Sequence, residues 1–303
     1  MTQPLKVAVM GYGHIGQYAA QGVKRAPDMT LAGIVELESR LPAVRADWPT
    51  LPVAAAVKDL PEKPDVVILG VPTRTVEKVA PALLAEGIAT VDCFDMHGDP
   101  FMKLRGALDP AAKQGNVAAI MGSGVDPGVS TMVRALFEIW APTGLTYVCY
   151  GPGMSMGHTV CAKSYAGVKD ALSITRPGDP GCHKRDLYLV LEDGAELEEV
   201  KGRVLQDPYF SHDDVRVFQV ADVAPLMDMG HRITVDRKGG ASGVDNQLLH
   251  FETTFHNPAS TAQVLVASAR AATRMAPGAH TMLEVPLYAF LSEDIQSLMK
   301  RLV

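Results

Sequence analysis

The segment Leu5-Lys-Val-Ala-Val-Met10 runs straight into Gly11-Tyr12-Gly13-His14-Ile15-Gly16, and that junction constrains the fold more than any other feature of the chain. The short apolar run predicts a strand, the glycines a tight turn, and the stretch from Ile15 to Arg25 a helix. In that order each glycine has a task. The first makes the turn, the second lets a pyrophosphate approach the backbone, and the third lets helix pack on strand. The helix start then presents unpaired amides to the phosphates. An ordinary glycine-rich turn is the alternative, and the flanking strand and helix argue against it. Gly11, Tyr12, Gly13, His14, Ile15 and Gly16 are therefore expected to hold a dinucleotide.

A second strand, Leu31 to Val35, ends at Glu36, roughly 20 residues past the motif, where such folds meet the adenosine ribose. A carboxylate there accepts from both ribose hydroxyls of NAD and repels the 2′-phosphate of NADP, so Glu36 favours NAD. Arg40, about one helical turn on, supports the competing reading of a cation folded over that phosphate, and a solvated strand end is the plainest use of Glu36.

The alternation continues with a strand at 65–71, a helix from Thr75 to Glu86, a strand at 88–93, a helix from Pro100 to Lys113 and a strand at 117–121. Strands separated by helices predict an α/β protein with a doubly wound parallel sheet of Rossmann type. Ligands of such sheets sit beyond the carboxyl ends of the strands. Val71-Pro-Thr-Arg74, Asp92-Cys-Phe-Asp-Met-His-Gly-Asp99 and Gly122-Ser-Gly-Val-Asp-Pro-Gly128 all fall there, and Val71, Pro72 and Thr73 are expected to touch the cofactor.

From about Ser130 the pattern changes. A helix to Trp140 and a strand Thr146 to Tyr150 lead into Gly151-Pro-Gly-Met-Ser-Met-Gly-His158, after which strands such as Asp186 to Leu191 and Val215 to Val220 predict an antiparallel sheet. This reads as a second, α+β domain for substrate binding and dimerisation. The expected organisation is 1–122 for the dinucleotide, 123–258 for the substrate, and 259–303 as a segment that returns to the first domain through an alanine-rich helix from Ala259 to Met275. The Pro/Gly clusters at 177–181 and 238–243 read as loops.

Composition narrows the partners. A formal net charge of −6 without a basic run gives no footing on a phosphate backbone, so no nucleic acid is expected. No apolar run approaches the roughly 20 residues of a membrane span, and the start lacks a signal-peptide core, so a cytoplasmic enzyme off the membrane is expected. Cys93, Cys149, Cys161 and Cys182 are scattered and read as free, mostly buried thiols. His97, His158, His183 and His231 show no ligand spacing, and no metal is expected.

Several longer motifs together resemble the meso-diaminopimelate dehydrogenase family, nearly end to end. They are Phe94-Asp-Met-His-Gly-Asp99, Asp126-Pro-Gly128, Gly151 to His158, His183-Lys-Arg185, Gly230-His231, Asn257-Pro258 and Met282-Leu-Glu-Val-Pro286. The resemblance implies a two-domain homodimer that uses NAD or NADP, the latter being the family's usual choice. It implies oxidative deamination of the D-centre of meso-2,6-diaminopimelate, and in reverse the reductive amination of a 2-oxo acid with ammonia. By the same resemblance Asp95 and Asp126 lie near the reacting amine, and Thr175, Arg185 and His231 hold the adjacent carboxylate. Asn257 with Met154, Ser155, Met156 and Gly157 meets the far amino-acid head, and Tyr150 lines the same pocket. The residue types agree: Arg185 offers a planar fork for a carboxylate, and a carboxylate beside an ammonium can take its proton. As structural alternatives, Asp95 caps the helix near Pro100, Asp126 starts a turn, and Met154 and Met156 fill core.

Two positions depart from the family. Val125 stands where the family commonly has tryptophan, which widens the pocket and keeps a broad-specificity D-amino acid dehydrogenase as an alternative. Glu36 stands where members that use NADP usually have serine or arginine. A non-catalytic redox sensor is the remaining alternative, and a carboxylate clamp argues against it.

Overall fold

The computed structural model describes residues 3–178 and 183–303, in two compact units. The first comprises 1–132 with 258–303, and the second 133–257. The first unit thus runs to Met132 and resumes at Pro258.

The first unit alternates strand and helix: β1 (Leu5–Met10), α1 (His14–Arg25), β2 (Met29–Val35), α2 (Leu41–Asp47), β3 (Val53–Ala54), β4 (Val66–Leu69), α3 (Thr73–Ala85), β5 (Ala89–Asp92), α4 (Asp99–Gln114), β6 (Ala118–Met121) and the start of α5 (Val129–Trp140). All pair in parallel in the order β3-β2-β1-β4-β5-β6, the doubly wound arrangement. β4, β5 and β6 are buried at every residue because helices cover both faces, which is why they read as unbroken apolar runs. In α1 the buried positions Gly16, Ala19, Ala20 and Val23 recur at helical spacing and form the stripe that meets the sheet.

The second unit contains β7 (Thr143–Met154), α6 (Met156–Lys163), β8 (Val168–Arg176), β9 (Lys184–Leu191), α7 (Leu197–Val204), β10 (Asp214–Gln219), β11 (Gly230–Ala241) and β12 (Val244–His256). Its sheet has the order β10-β9-β8-β7-β11-β12. The expectation of an antiparallel sheet holds except at one edge, where β10 runs parallel to β9. The sheet is therefore mixed, because α7 lies between the two strands and carries the chain back to the starting end of β9. The reading of 238–243 as a loop is also corrected. Lys238 to Ala241 belong to β11, and only Ser242 and Gly243, both at positive φ, turn the hairpin into β12. Glycines suit that strand end because β7 passes close: a Cβ on Gly239 would lie 2.0 Å from the Thr143 carbonyl oxygen.

After β12 the chain enters α8 (Asn257–Ala272), continues to β13 (Gly278–Thr281) and ends in α9 (Ile295–Leu302). β13 pairs in parallel with β6 and becomes the edge strand of the first unit's sheet. α8 buries Ala262, Leu265, Val266 and Ala269 in the same core as Val7, Val9 and Ile68. Its Arg270 is clamped by both oxygens of Asp28, with Nη2 donating to Oδ1 at 2.7 Å. The return of the C-terminal segment thus rests on apolar burial and one bidentate ion pair.

Cys93 and Cys149 are half-buried and Cys161 is buried, all three reduced; Cys182 and the centre of the 177–181 cluster lie outside the described residues. Among the described residues no helix is long and apolar enough to cross a membrane, and no group of three or more His, Cys, Asp or Glu is placed to hold a metal ion.

Candidate active site

The glycine turn joins β1 to α1. Gly11 has φ +89°, and its N–H donates to the Val35 carbonyl at 2.8 Å, which ties the turn to the end of β2. A Cβ on Gly16 would lie 1.8 Å from the Gly11 carbonyl oxygen, so helix and turn touch as only glycine permits. A Cβ on Gly13 would meet no described atom within 4 Å, which leaves the backbone there open to approach. His14 opens α1 and is exposed, and Ile15 is half-buried against the core. The cradle fits a dinucleotide pyrophosphate: open backbone at the second glycine, and helix-start amides behind it. Tyr12 contributes backbone only, since its ring is buried and its hydroxyl accepts from Trp48 Nε1 at 2.7 Å.

Glu36 is buried and not a solvated strand end. Its Oε2 accepts from the Tyr12 N–H at 2.7 Å and its Oε1 from the Leu37 N–H at 2.8 Å. Arg40 lies over it, with Nη1 3.5 Å from Oε2 and Nη2 donating to the Tyr12 carbonyl at 3.3 Å. The carboxylate therefore anchors the glycine turn while standing at the carboxyl end of β2.

Val71, Pro72 and Thr73 connect β4 to α3, and the Thr73 hydroxyl donates to Asp95 Oδ1 at 2.5 Å. That bond links the β4 loop to the β5 loop. Asp95 does not cap α4, whose N-cap position is Gly98 with no side-chain cap. Asp126 accepts from the Ser130 hydroxyl at Oδ1, and its Oδ2 lies 3.7 Å from His97 Nε2. The half-buried Val125 precedes it, and its carbonyl accepts from the Ser130 N–H at 2.8 Å. Asp95 and Asp126 thus both stand on loops at the carboxyl ends of neighbouring strands.

In the second unit the strand register does the assembly. His231 on β11 is opposite Gly153 on β7, Gly153 is opposite Thr175 on β8, and Thr175 is opposite Arg185 on β9. Residues directly opposite one another in antiparallel pairs share a face, so His231, Thr175 and Arg185 lie in one row, with His231 two strand spacings, roughly 10 Å, from Thr175. All three are buried. Arg185 donates from Nη1 to Thr175 Oγ1 at 2.9 Å and from Nη2 to His183 Nδ1 at 3.3 Å, which requires that nitrogen to carry no proton. Its Nε donates to Asp213 Oδ2.

The remaining predicted contacts lie on β7, around the start of α6 and at the start of α8. Tyr150 stacks on His183 with ring centroids 4.9 Å apart. Met154 is core: its side chain packs with Leu172 and Val223, while its carbonyl accepts from Asn257 Nδ2 at 2.9 Å. Met156 packs against the same cluster. Ser155 precedes α6, Met156 and Gly157 form its first turn, and Ser155 Oγ lies 2.8 Å from His158 Nδ1. Burial, with the Arg185 cation beside it, holds the His158 imidazole well below its ordinary pKa and therefore neutral. Sequence reasoning missed Asp213 altogether and assigned no role to His158. No local signal marks Asp213, which stands in the loop before β10 and reaches Arg185 only through the β9–β10 pairing.

A family model described as an oxidoreductase family with an NAD-binding Rossmann fold matches residues 5–93. The chain is similar to a meso-diaminopimelate D-dehydrogenase of Bacteroides fragilis, 44% identical over 303 residues and covering 99% of both chains. It is similar at 28% identity to a second such enzyme, from Ureibacillus thermosphaericus, with 99% of each chain covered. Among solved structures it is similar to a C. glutamicum DAP dehydrogenase in complex with DAP, with a TM-score of 0.87, 26% identity and all of both chains covered. An engineered D-amino acid dehydrogenase bound to NADP+ is equally similar in fold, with a TM-score of 0.87, 25% identity and 99% and 100% coverage.

Proposed function

The chain belongs to the meso-diaminopimelate D-dehydrogenase family, and on that premise we propose that it oxidatively deaminates the D-centre of meso-2,6-diaminopimelate, giving the 2-amino-6-oxo acid, ammonia and reduced cofactor, and runs the reductive amination in reverse. The observation that carries the reading is the row of His231, Thr175 and Arg185. It is a buried set of donors with a planar cationic fork, the chemistry that binds a carboxylate. A sensor of dinucleotide redox state has no use for such a clamp.

The Gly11–Gly16 turn would hold the dinucleotide, which would supply a hydride acceptor for the D-configured carbon. The chain's own residues do the rest. Arg185 and Thr175, with His231 in the same row, hold the carboxylate and so fix which carbon presents its hydrogen. Asp95 and Asp126 accept the proton that the ammonium must lose and orient the water that later attacks the imine. Asn257 and the Met154 to Gly157 segment hold the far amino-acid head.

The chain is an NAD(P)-binding dehydrogenase, and we propose NAD as the preferred partner because the carboxyl group of Glu36 is buried beside the glycine turn, where the 2′-phosphate of NADP would have to be accommodated. A homodimer is part of the proposal. Its support is an exposed apolar set on one face of the second sheet, Leu145, Tyr147 and Leu248, where β7, β11 and β12 lie side by side. A cytoplasmic location completes it.

Val125 favours a second reading, a broader D-amino acid dehydrogenase, since a valine leaves more room than an indole. One assay separates these: purified protein with NAD or NADP and a panel of amino acids, followed by nicotinamide absorbance. Turnover of meso-diaminopimelate alone supports the first reading, and comparable rates on D-alanine support the second. Silence on the whole panel with cofactor still bound sinks both.

A further inference from the structure

Asp92 closes β5 and is fully buried, yet the chemistry described above gives it no role. Its Oδ1 accepts from the Phe94 N–H at 3.0 Å and from the Gly122 N–H at 3.1 Å. Its main-chain carbonyl accepts from the Ser123 N–H at 2.6 Å. One residue thus makes two hydrogen bonds to the loop after β6 and one within the loop after β5, and its Oδ1 joins the two loops. Asp95 follows in the first loop and Asp126 in the second.

The surroundings show that both loops are pinned at this point. Phe94 is buried in the core, edge-on to Phe101 with ring centroids 6.0 Å apart. Gly122 sits at φ +60°, and a Cβ there would strike the Phe101 ring at 2.8 Å, so its amide is held in one direction. Asp92 Oδ2 is buried with no hydrogen-bond partner among the described residues, and burial raises the carboxyl to about 6. A carboxyl protonated on Oδ2 still accepts both amides at Oδ1, so the tie persists in either charge state.

We propose that Asp92 is a positioning residue for turnover: by accepting from the Phe94 and Gly122 amides at once, it fixes the loop that carries Asp95 against the loop that carries Asp126. The proposal rests on the proton-handling roles given to those two aspartates. Displacing reacting groups by about 1 Å is enough to cost up to two orders of magnitude in rate.

The test compares Asp92→Ala and Asp92→Asn with Asp95→Asn and Asp126→Asn, measuring kcat, KM for the amino acid, the pH profile of kcat/KM, and NAD affinity by nucleotide fluorescence. Asp92→Ala is expected to lower kcat about tenfold or more and to displace the acid limb of the profile, with NAD affinity within about twofold of wild type. Asp92→Asn, whose amide oxygen accepts the same two N–H groups, is expected to recover kcat to within about threefold and to restore the acid limb. If Asp92→Ala does not fold, Asp92→Ser, which cannot reach Gly122, carries the same expectation. The proposal is overturned if Asp92→Ala (or Ser) turns over as wild type while Asp95→Asn or Asp126→Asn is impaired. It is equally overturned if kcat and NAD affinity fall together and Asn rescues neither, which marks a structural role. Wild-type kcat in both Asp95→Asn and Asp126→Asn overturns the reading of those aspartates and this inference with it.

Discussion

Thr175 and Arg185 stand directly opposite each other across β8 and β9, and Arg185 Nη1 donates to Thr175 Oγ1 at 2.9 Å. The hydroxyl is thus both a candidate substrate contact and a guide for the guanidinium. Arg185→Lys keeps the charge that Asp213 balances but loses the planar fork. KM for the amino acid is expected to rise roughly 10- to 150-fold, for a loss of about 1.5–3 kcal/mol in charged hydrogen bonding, with kcat changed far less. Steady-state kinetics at saturating cofactor measures it, and an unchanged KM removes Arg185 from the clamp.

Gly153 lies in the same row, between His231 and Thr175, at φ +145°. A Cβ there would sit 2.0 Å from the Gly230 carbonyl oxygen. Gly153→Ala must therefore push β11 from β7 and is expected to destabilise the protein by about 3 kcal/mol or more. Thermal or denaturant unfolding reads this directly, and a melting temperature equal to wild type contradicts the packing argument.

Replacing Glu36 tests the cofactor preference. Glu36→Ser or Glu36→Arg removes the buried carboxyl group that stands beside the glycine turn at the carboxyl end of β2, and is expected to raise the NADP-to-NAD ratio of kcat/KM by about tenfold or more. Because Tyr12 N–H also loses its acceptor, NAD affinity should fall in the serine variant even before NADP gains. A cofactor ratio that stays put in both variants defeats the assignment.

Asp92 predicts a pH dependence of stability. Burial raises its carboxyl from 3.8 to about 6, so the folded state holds that proton more tightly than the unfolded chain. The stabilisation is fully present below about pH 4 and is lost as pH rises through 6, a change on the order of 3 kcal/mol. Asp92→Asn carries no ionisation to suppress. Its melting temperature relative to wild type should climb between pH 4 and pH 7, and a constant difference across that range refutes the assignment of the raised carboxyl.

The legible parts of the chain were those where neighbouring residues decide the outcome. The glycine turn, the buried parallel strands and the helical stripe of α1 follow from periods of two to seven residues and from backbone freedom at glycine. The 238–243 segment misled because glycine there serves a close strand crossing as readily as a loop. Met154 was ambiguous for a related reason: its side chain went to the core while its carbonyl went to Asn257, and sequence does not separate the two ends of a residue.

By itself the sequence determined a doubly wound nucleotide unit, an α+β second unit and the residue types of the clamp. Only the tertiary structure decided that His231, Thr175 and Arg185 form one row, that Asp213 balances Arg185, and that Asp92 ties two loops together. The reason is register: each of these relations joins residues on different strands or loops, and their alignment is fixed by inter-strand hydrogen bonds and burial, which no local pattern encodes.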